Sequence, residues 1–154
     1  MAFRQLRNGL RRVHRFMRRL IAAFLLLLSL LAGSVCAEEM KIIVAIKGKN
    51  LHAVLEDNPA SRALYAQMPF TVKMKDLYER EMCFFMSGKL PETKQTASNY
   101  SVGVIIYWPP QRCLVILYKQ NGERFRRQHL GHIESGAEIF STTGDIEVTF
   151  APAE

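Results

Sequence analysis

The sequence predicts a mostly β protein, a closed antiparallel β-barrel with one or two short helices, preceded by an N-terminal signal sequence. Two observations favour this fold. After residue 37, about eight short runs are apolar or alternate apolar and polar residues. Turn-forming residues such as Gly48-Lys49-Asn50 and Asn121-Gly122 separate these runs. Many short antiparallel strands lose their free sheet edges when they close into a barrel.

The N-terminal segment has the organisation of an export signal. Residues 1–19 hold seven arginines and no acidic residue, and the apolar residues 20–33 follow. Ser34-Val35-Cys36-Ala37 then places small residues where a signal peptidase cuts. We therefore predict a signal peptide over residues 1–37, with its n-region at 1–19, its h-region at 20–33 and cleavage after Ala37.

The alternative is an uncleaved anchor formed by residues 20–35. A membrane-spanning helix needs roughly 20 apolar residues, and this run is stopped by Glu38 and Glu39, so its length favours cleavage. Acylation of Cys36 is less favoured, because Val35 stands where a small residue is expected. The sequence thus predicts a periplasmic or extracellular protein, with anchoring to the inner membrane as the alternative.

The charges outside the leader are balanced. The chain holds 21 Lys and Arg against 14 Asp and Glu, and the leader contains seven of the basic residues and none of the acidic ones. Residues 38–154, predicted to form one domain, therefore carry 14 charges of each sign. Nucleic acid binding needs a concentrated basic face. On a strand, Arg124 and Arg126 would share one face and Arg127 the other, so we predict no nucleic acid partner.

Cys83 and Cys113 are the cysteines of the predicted mature domain, and both lie in strand-like runs. An exported protein meets an oxidising compartment, where a disulfide persists. A Cys83–Cys113 disulfide is therefore one interpretation. Two separate buried thiols are an equal alternative, because the sequence does not give the Cα separation that a disulfide requires.

Predicted strands alternate with turns along the domain. They cover residues 41–46, 51–56, 70–75, 81–86, 102–107, 113–119, 125–133 and 145–150. Residues 113–119 are almost all apolar, which predicts a strand buried on both faces. Residues 87–101 are rich in Gly, Pro, Thr, Ser and Asn, which predicts a long surface loop. A helical turn is predicted at 135–140.

One short helix is predicted between the second and third strands, at residues 57–68. Asp57 or Asn58 can cap it, and Pro59 suits its first position because the missing N–H would be unpaired there. A helix of about ten residues is not stable alone. Three of its residues must therefore pack, most simply against the open end of the barrel: Ala60, Leu64 and Met68. This pattern predicts a structural brace rather than a functional site.

Short motifs distributed over residues 40–150 resemble the small bacterial cyclophilin-like domain family. They are Leu55-Glu56-Asp57-Asn58-Pro59, Leu64, Met68-Pro69, Leu90-Pro91, Ile106-Tyr107-Trp108-Pro109-Pro110, Cys113-Leu114-Val115-Ile116-Leu117-Tyr118-Lys119, Leu130-Gly131-His132-Ile133 and Gly144-Asp145-Ile146-Glu147-Val148-Thr149-Phe150. The resemblance implies a cyclophilin-type β-barrel with short helices near its ends. It implies no particular activity, because these are patterns of fold rather than of chemistry.

Peptidyl-prolyl isomerisation is the enzymatic alternative that the resemblance raises. Active cyclophilins carry runs such as Phe-His-Arg and Gln-Gly-Gly-Asp, and neither run occurs here. The reaction requires a cation and an apolar pocket that stabilise a twisted amide, whose barrier is about 18 to 20 kcal/mol. Arg112 or Arg62, with Phe84 or Trp108, are the residues that could supply them.

Tyr107, Trp108 and Arg112 are the candidate ligand-binding residues. Trp108 is the only tryptophan and precedes two prolines, so it is a rigid aromatic in a turn that could stack on a ligand. Its alternative role is to cover one end of the barrel. His129 and His132 would point to opposite faces of a strand, so we predict no metal site.

The sequence therefore predicts an exported barrel that binds a small molecule or peptide of unknown identity and holds no cofactor. Peptidyl-prolyl isomerase is the first alternative, and a membrane-tethered accessory protein is the second. Oligomeric state is not predicted. A membrane partner is expected only through the leader, if the leader is not cleaved.

Overall fold

Nine strands and three short helices make up the part of the chain that the computed structural model describes, residues 39–153. The strands are β1 Met40–Ile46, β2 Lys49–Leu55, β3 Phe70–Leu77, β4 Glu81–Phe85, β5 Thr96–Ser98, β6 Val104–Trp108, β7 Cys113–Leu117, β8 Phe125–Ile133 and β9 Ile146–Pro152. The helices are α1 Pro59–Tyr65 and two 3₁₀ helices, Pro109–Gln111 and Ala137–Thr142. The predicted leader and its cleavage after Ala37 lie outside the described residues.

Eight of these strands form a closed antiparallel barrel. Their order is β2-β1-β9-β3-β4-β7-β6-β8, and pairing of β2 with β8 closes the sheet. The ninth strand, β5, pairs with the first residues of β8, where Thr96 is opposite Arg127. The predicted mostly β, closed antiparallel barrel with few short helices is therefore confirmed. No helix within residues 39–153 is long and apolar enough to cross a membrane.

Strand β7 is buried on both faces, as its apolar composition predicted. Leu114 and Ile116 belong to the cluster that fills the barrel interior. Cys113 and Val115 belong to a second cluster on the outer face of the sheet. The sheet around β7 is therefore covered on its outer side, and what covers it decides where a ligand can approach.

Residues 87–101 provide part of this cover, so the prediction of a long surface loop there is partly wrong. The segment contains β5, and Tyr100 belongs to the outer cluster with 5% of its surface exposed, whereas Leu90, 3% exposed, packs in the inner core. The Gln128 side chain, itself buried, donates to the Pro91 carbonyl at 2.9 Å. A few apolar residues in a polar segment are enough to hold it on the sheet, and composition alone does not show them.

Barrel closure requires a glycine in β8. A Cβ atom at Gly131 would lie 2.2 Å from the Val54 carbonyl oxygen and 2.8 Å from the Leu55 Cα. These distances are far inside van der Waals contact, and the atoms met are backbone atoms of β2 that cannot move aside as a side chain would. The close approach of β2 and β8 therefore depends on the absence of a side chain at this position.

A β-bulge lies next to this glycine. Gly131 is opposite Ile105, but His129 is opposite Ile106, so Leu130 is an extra residue in β8. The Leu130 carbonyl accepts a hydrogen bond from the Glu56 amide, directly after β2, at 2.8 Å. The bulge thus supplies a backbone acceptor that ties β8 to the end of β2.

Helix α1 begins on this bulge. The Asn58 Oδ1 accepts from the amides of Ala60 and Ser61 at 3.1 and 2.9 Å, which caps the helix, while its Nδ2 donates to the His129 carbonyl at 3.1 Å. The Ser61 hydroxyl donates to the Leu130 carbonyl at 2.9 Å. One asparagine therefore both starts the helix and fixes it to β8.

The apolar face of the helix packs as predicted. Ala60 and Leu64 are fully buried in the main core, and Met68 packs against that core from the segment after the helix. The helical turn predicted at 135–140 is a 3₁₀ helix that lies two residues later, at Ala137–Thr142, with Phe140 fully buried. Both short helices are thus held by tertiary packing rather than by their own length.

A disulfide joins β4 to β7 on the outer face of the sheet. The sulfur atoms of Cys83 and Cys113 are 1.98 Å apart and their Cα atoms 6.2 Å apart. The two residues are diagonal neighbours, since Cys83 is opposite Val115 and Cys113 is opposite Phe85.

Replacing Gly131 by Ala should lower the free energy of unfolding by about 3 kcal/mol, because the new methyl group overlaps backbone of β2. Urea denaturation of the variant measures this loss. Gly88→Ala is the matched control, since a Cβ there meets nothing within 4 Å, and it should change stability by less than about 0.5 kcal/mol. Equal stability of the two variants would contradict this account of closure.

Replacing Asn58 by Ala should lower the free energy of unfolding by about 2 kcal/mol, because the helix loses its cap and β8 loses its link to the helix. Asn58→Asp keeps the capping oxygen and removes only the donor to His129, so it should cost about 1 kcal/mol. Chemical denaturation of both variants separates the two functions of the side chain. Identical losses would show that the cap contributes nothing beyond the link, and an Asn58→Asp variant as stable as the parent would show that the link to β8 contributes nothing.

Breaking the disulfide should destabilise the domain by about 3 kcal/mol, because the bond closes a loop in the unfolded chain with a sequence separation of 30 residues. Cys83→Ala/Cys113→Ala measures this difference in denaturant. Alkylation of the unfolded protein without reductant, followed by mass spectrometry, should leave both cysteines unmodified. Two alkylated cysteines would support the alternative of separate thiols.

Candidate functional site

A groove of about 530 Å³ lies on the outer face of the barrel, over the sheet formed by β4, β7 and β6. Four residues from three neighbouring strands line it from below: Cys83, Ile106, Cys113 and Val115. Side chains from the β3–β4 turn, from the 3₁₀ helix after β6 and from the segment that leads into β8 form its walls. The groove therefore has an apolar base and a mixed rim.

Strand register explains why these residues meet. Val115 is opposite both Cys83 and Ile106, so the three side chains form one row across β4, β7 and β6. Cys113 is opposite Trp108 in the next row. Side chains two residues apart on a strand point to the same face and are about 7 Å apart, so the rows continue one behind the other along the outer face.

Trp108 lies at the end of the groove near the 3₁₀ helix. Its indole is half-buried against the outer cluster and lines the groove together with Gln111. The neighbouring Phe85, opposite Cys113 in β4, is 45% exposed but does not line the groove. The tryptophan covers part of the outer face of the sheet and offers a flat apolar surface.

Arg80 organises the other end of the groove. Its guanidinium pairs with Glu81 at 3.1 Å and with Glu123, so it links the β3–β4 turn to the segment before β8. It also lies over the rings of Tyr78 and Phe125, at 5.7 and 5.9 Å from their centroids. The side chains of Arg80 and Glu81 are only 12% and 13% exposed, so this pair is largely removed from solvent.

The pKa shifts in this cluster follow from burial and pairing. Burial raises the pKa of Glu81 above its usual value, and the positive charge of Arg80 only partly offsets this. The hydrogen bond from Arg80 lowers the pKa of Glu123. Burial lowers the pKa of Arg80, but its bond to Glu123 and the charge of Glu81 outweigh burial and raise it overall. The guanidinium therefore stays charged and is engaged by carboxylates of the protein itself.

The turn at this end of the groove has an unusual backbone. Tyr78 and Glu79 both adopt left-handed conformations, with φ of 57° and 49°, although neither is glycine or asparagine. The Tyr78 side chain is 80% exposed and lines the groove. A strained turn thus holds an aromatic side chain at the rim, in a position that packing in the core does not require.

Two arginines of β8 have opposite environments. Arg126 is exposed and lines the groove. Arg127 is 4% exposed, and its guanidinium donates to the carbonyls of Ser98 and Asn99 at 2.6 and 2.7 Å. Burial lowers the pKa of Arg127. Arg127 therefore anchors the segment of residues 87–101 through Ser98 and Asn99, and Arg126 is available to a ligand.

The three predicted ligand-binding residues do not form one site. Trp108 lines the groove, but strand alternation turns Tyr107 into the barrel, where it is 1% exposed and its hydroxyl accepts from the Leu90 amide at 3.3 Å. Arg112 follows the 3₁₀ helix in a left-handed conformation, and its guanidinium donates to the Ser87 carbonyl at 3.0 Å. Neither Tyr107 nor Arg112 lines the groove.

The residue pairs considered for isomerase chemistry are not assembled either. Arg62 pairs with Asp57 beside α1, and Phe84 packs against the inner core. The arginines that line the groove are Arg80, which lies over the rings of Tyr78 and Phe125, and Arg126. One sequence signal could have found Arg80. It precedes Glu81, and Glu81 is two residues before Cys83 on β4, so the side chains of Glu81 and Cys83 point to the same outer face.

The histidines of β8 are separated. His129 is partly buried with its Nδ1 2.7 Å from the Glu56 carboxylate, and His132 is exposed. No group of three or more His, Cys, Asp or Glu side chains within residues 39–153 could hold a metal ion.

The sequence of this chain matches that of a known protein family. The sequence model of the cyclophilin-like family matches residues 44–151. The solution structure of a hypothetical protein from Archaeoglobus fulgidus superposes with a TM-score of 0.60 over 78% of this chain and 99% of that chain, at 14% sequence identity, and so shares the fold. No curated protein matches this chain. The family match covers most of the barrel, from β1 to β9, and the protein belongs to the cyclophilin-like family.

Proposed function

We propose that this protein is an exported barrel that binds a peptide or a small molecule in the outer groove. The observation that carries the proposal is the half-buried Trp108 at the end of an apolar groove of about 530 Å³ on the outer face of the sheet. Ligand sites are typically about 300–1,000 Å³, mostly apolar, with a few polar groups at defined positions. The base of the groove and its charged rim have this composition.

Export is the second part of the proposal. The basic and apolar leader supports it, and so does the disulfide in the sheet, because such bonds persist in oxidising compartments. If the leader is retained, the same domain is a membrane-tethered accessory protein. Intact mass of the protein recovered from cells that express the complete sequence distinguishes the two. A mass lacking residues 1–37 supports export with cleavage, and the full mass supports the tethered form.

Peptidyl-prolyl isomerase activity is a second candidate, favoured by one observation. Arg80 and Arg126 line the groove together with Trp108 and Phe125, and the Arg80 guanidinium lies 5.9 Å from the Phe125 ring centroid; a cation beside an apolar surface is what a twisted prolyl amide requires. Arg80, however, is already engaged by two carboxylates, which leaves Arg126 for this role. An isomerisation assay on a proline-containing tetrapeptide tests the candidate. Acceleration that Arg126→Gln abolishes would support it, and no acceleration would remove it.

Ligand binding should be visible through Trp108, because the chain contains one tryptophan. Titration with a panel of short peptides and metabolites should shift its emission for at least one compound. The same compound should raise the stability of the folded protein, by about 2.7 kcal/mol at a hundred times its Kd.

Trp108→Ala should lower the affinity for that compound by about tenfold, as measured by calorimetry, because an aromatic contact is lost. Phe85→Ala is the control, since Phe85 is an exposed aromatic on the same face outside the groove, and affinity should not change. A panel in which no compound alters emission or stability would contradict the proposed function.

A further inference from the structure

The charged side chains that line the outer groove sum to zero. Glu81 and Glu123 share the one guanidinium of Arg80, which leaves that cluster with one negative charge. Arg126 is the fourth charged residue of the lining and balances it. Arg126 and Glu123 are exposed, so water screens them and an ion pair with either contributes little. The groove therefore offers a charged ligand no net attraction, and removing an unpaired charge from water costs free energy.

The base of the groove is closed to a ligand. Its four residues, Cys83, Ile106, Cys113 and Val115, are between 1% and 3% exposed. They lie on β4, β6 and β7, and each of these strands is paired with a neighbour on both sides. The base therefore offers no free backbone groups with which the main chain of a peptide could pair. A ligand must be held by the side chains that stand around the base.

Accessible aromatic rings stand at both ends of the groove. Tyr78 is 80% exposed, and Trp108 is half-buried. Trp108 is opposite Cys113, and Tyr78 lies in the turn that precedes the β4 residue opposite Leu117. Cys113 and Leu117 are four residues apart on β7, or about 13 Å. No single ring of a ligand can therefore contact both aromatic side chains.

Uncharged polar groups stand beside these rings. Gln111 is exposed and lines the groove with Trp108, and Asn121 lines the end that Arg80 organises, where its Oδ1 accepts from the Glu123 amide at 3.0 Å. A side-chain amide or a phenol can donate and accept hydrogen bonds without carrying a charge. The accessible lining thus combines flat apolar faces with neutral hydrogen-bonding groups.

Resting on the function proposed above, we infer that the groove binds a short oligosaccharide of uncharged sugars. A sugar ring has an apolar C–H face and an edge of hydroxyl groups, so it can stack on an aromatic side chain while its hydroxyls bond to side-chain amides. Successive rings of one chain can reach both Trp108 and Tyr78. A flat aromatic compound would use the ring faces but leave the amides without partners. The saccharide therefore fits the whole accessible lining.

Neutral hexasaccharides with charged counterparts test this inference. The neutral probes are cellohexaose, maltohexaose, chitohexaose and methyl-esterified hexagalacturonate. The charged ones are de-N-acetylated chitohexaose, at a slightly acidic pH where its amino groups are protonated, and free hexagalacturonate. At least one neutral probe should shift the emission of Trp108. The neutral member of each matched pair should bind about tenfold more tightly than its charged member, because the charge loses water without gaining a partner. The monosaccharide of the bound probe should bind at least about tenfold more weakly, because it reaches one aromatic ring.

Two variants separate stacking from hydrogen bonding. Tyr78→Ala should lower the affinity for the bound hexasaccharide by about tenfold, and Tyr78→Phe, which keeps the ring, should retain most of it. Gln111→Ala should lower the affinity by about fivefold, because a hydrogen bond to a hydroxyl is lost. Gln67→Ala is the matched control, since Gln67 is an exposed amide beside α1 that does not line the groove, and it should leave the affinity unchanged.

Four results would overturn the inference. Tighter binding of the charged member of either pair would show that the groove selects charge. Equal affinities of the monosaccharide and the hexasaccharide would confine binding to one end. Equal effects of Gln111→Ala and Gln67→Ala would remove the hydrogen bond in the groove. If no saccharide binds at about 1 mM but a peptide or an aromatic metabolite shifts the emission of Trp108, the saccharide class fails alone and the proposed function stands.

Discussion

Closure of the barrel between β2 and β8 is the constraint on which the rest of the structure depends. The two strands approach so closely that a Cβ at Gly131 would lie 2.2 Å from a carbonyl oxygen of β2. The adjacent bulge leaves the Leu130 carbonyl to accept from the Glu56 amide and the Ser61 hydroxyl. The start of α1, the end of β2 and the middle of β8 are thereby joined at one point. The helix is a brace for this joint.

The position of β8 then determines the outer groove. Its second half pairs with β6 and β2 inside the barrel wall, and its first half leaves the barrel to pair with β5. Two arginines lie in the first half of β8. Arg126 lines the groove, and Arg127 is buried under the segment of residues 87–101. Arg80 connects the opposite side of the groove to the same segment through Glu123. The groove thus lies over the apolar outer face of the sheet and is bounded by charged residues that the fold brings together.

Local patterns predicted the elements, and long-range contacts determined the site. Alternation and turn residues were enough for the hairpins, the doubly buried β7 and the proline-started helix, because each depends on neighbours in sequence. Arg80 and Glu123 are 43 residues apart, and no local pattern links them. Tyr107 and Trp108 were grouped because they are adjacent, but adjacent strand residues point to opposite faces. The bulge at Leu130 also has no local signature, since it follows from the register that closure imposes.

Native-state hydrogen exchange of the Glu56 amide tests the closure most directly. This amide donates to the Leu130 carbonyl at the joint, so it should exchange only when the whole domain unfolds. Its opening free energy should therefore equal the free energy of unfolding measured with denaturant. The Gly122 amide, bonded to the Gln120 side chain in an exposed turn, should exchange through local opening. Exchange of the Glu56 amide at a much lower free energy than global unfolding would show that the barrel opens at β2 and β8 on its own, and would contradict the account.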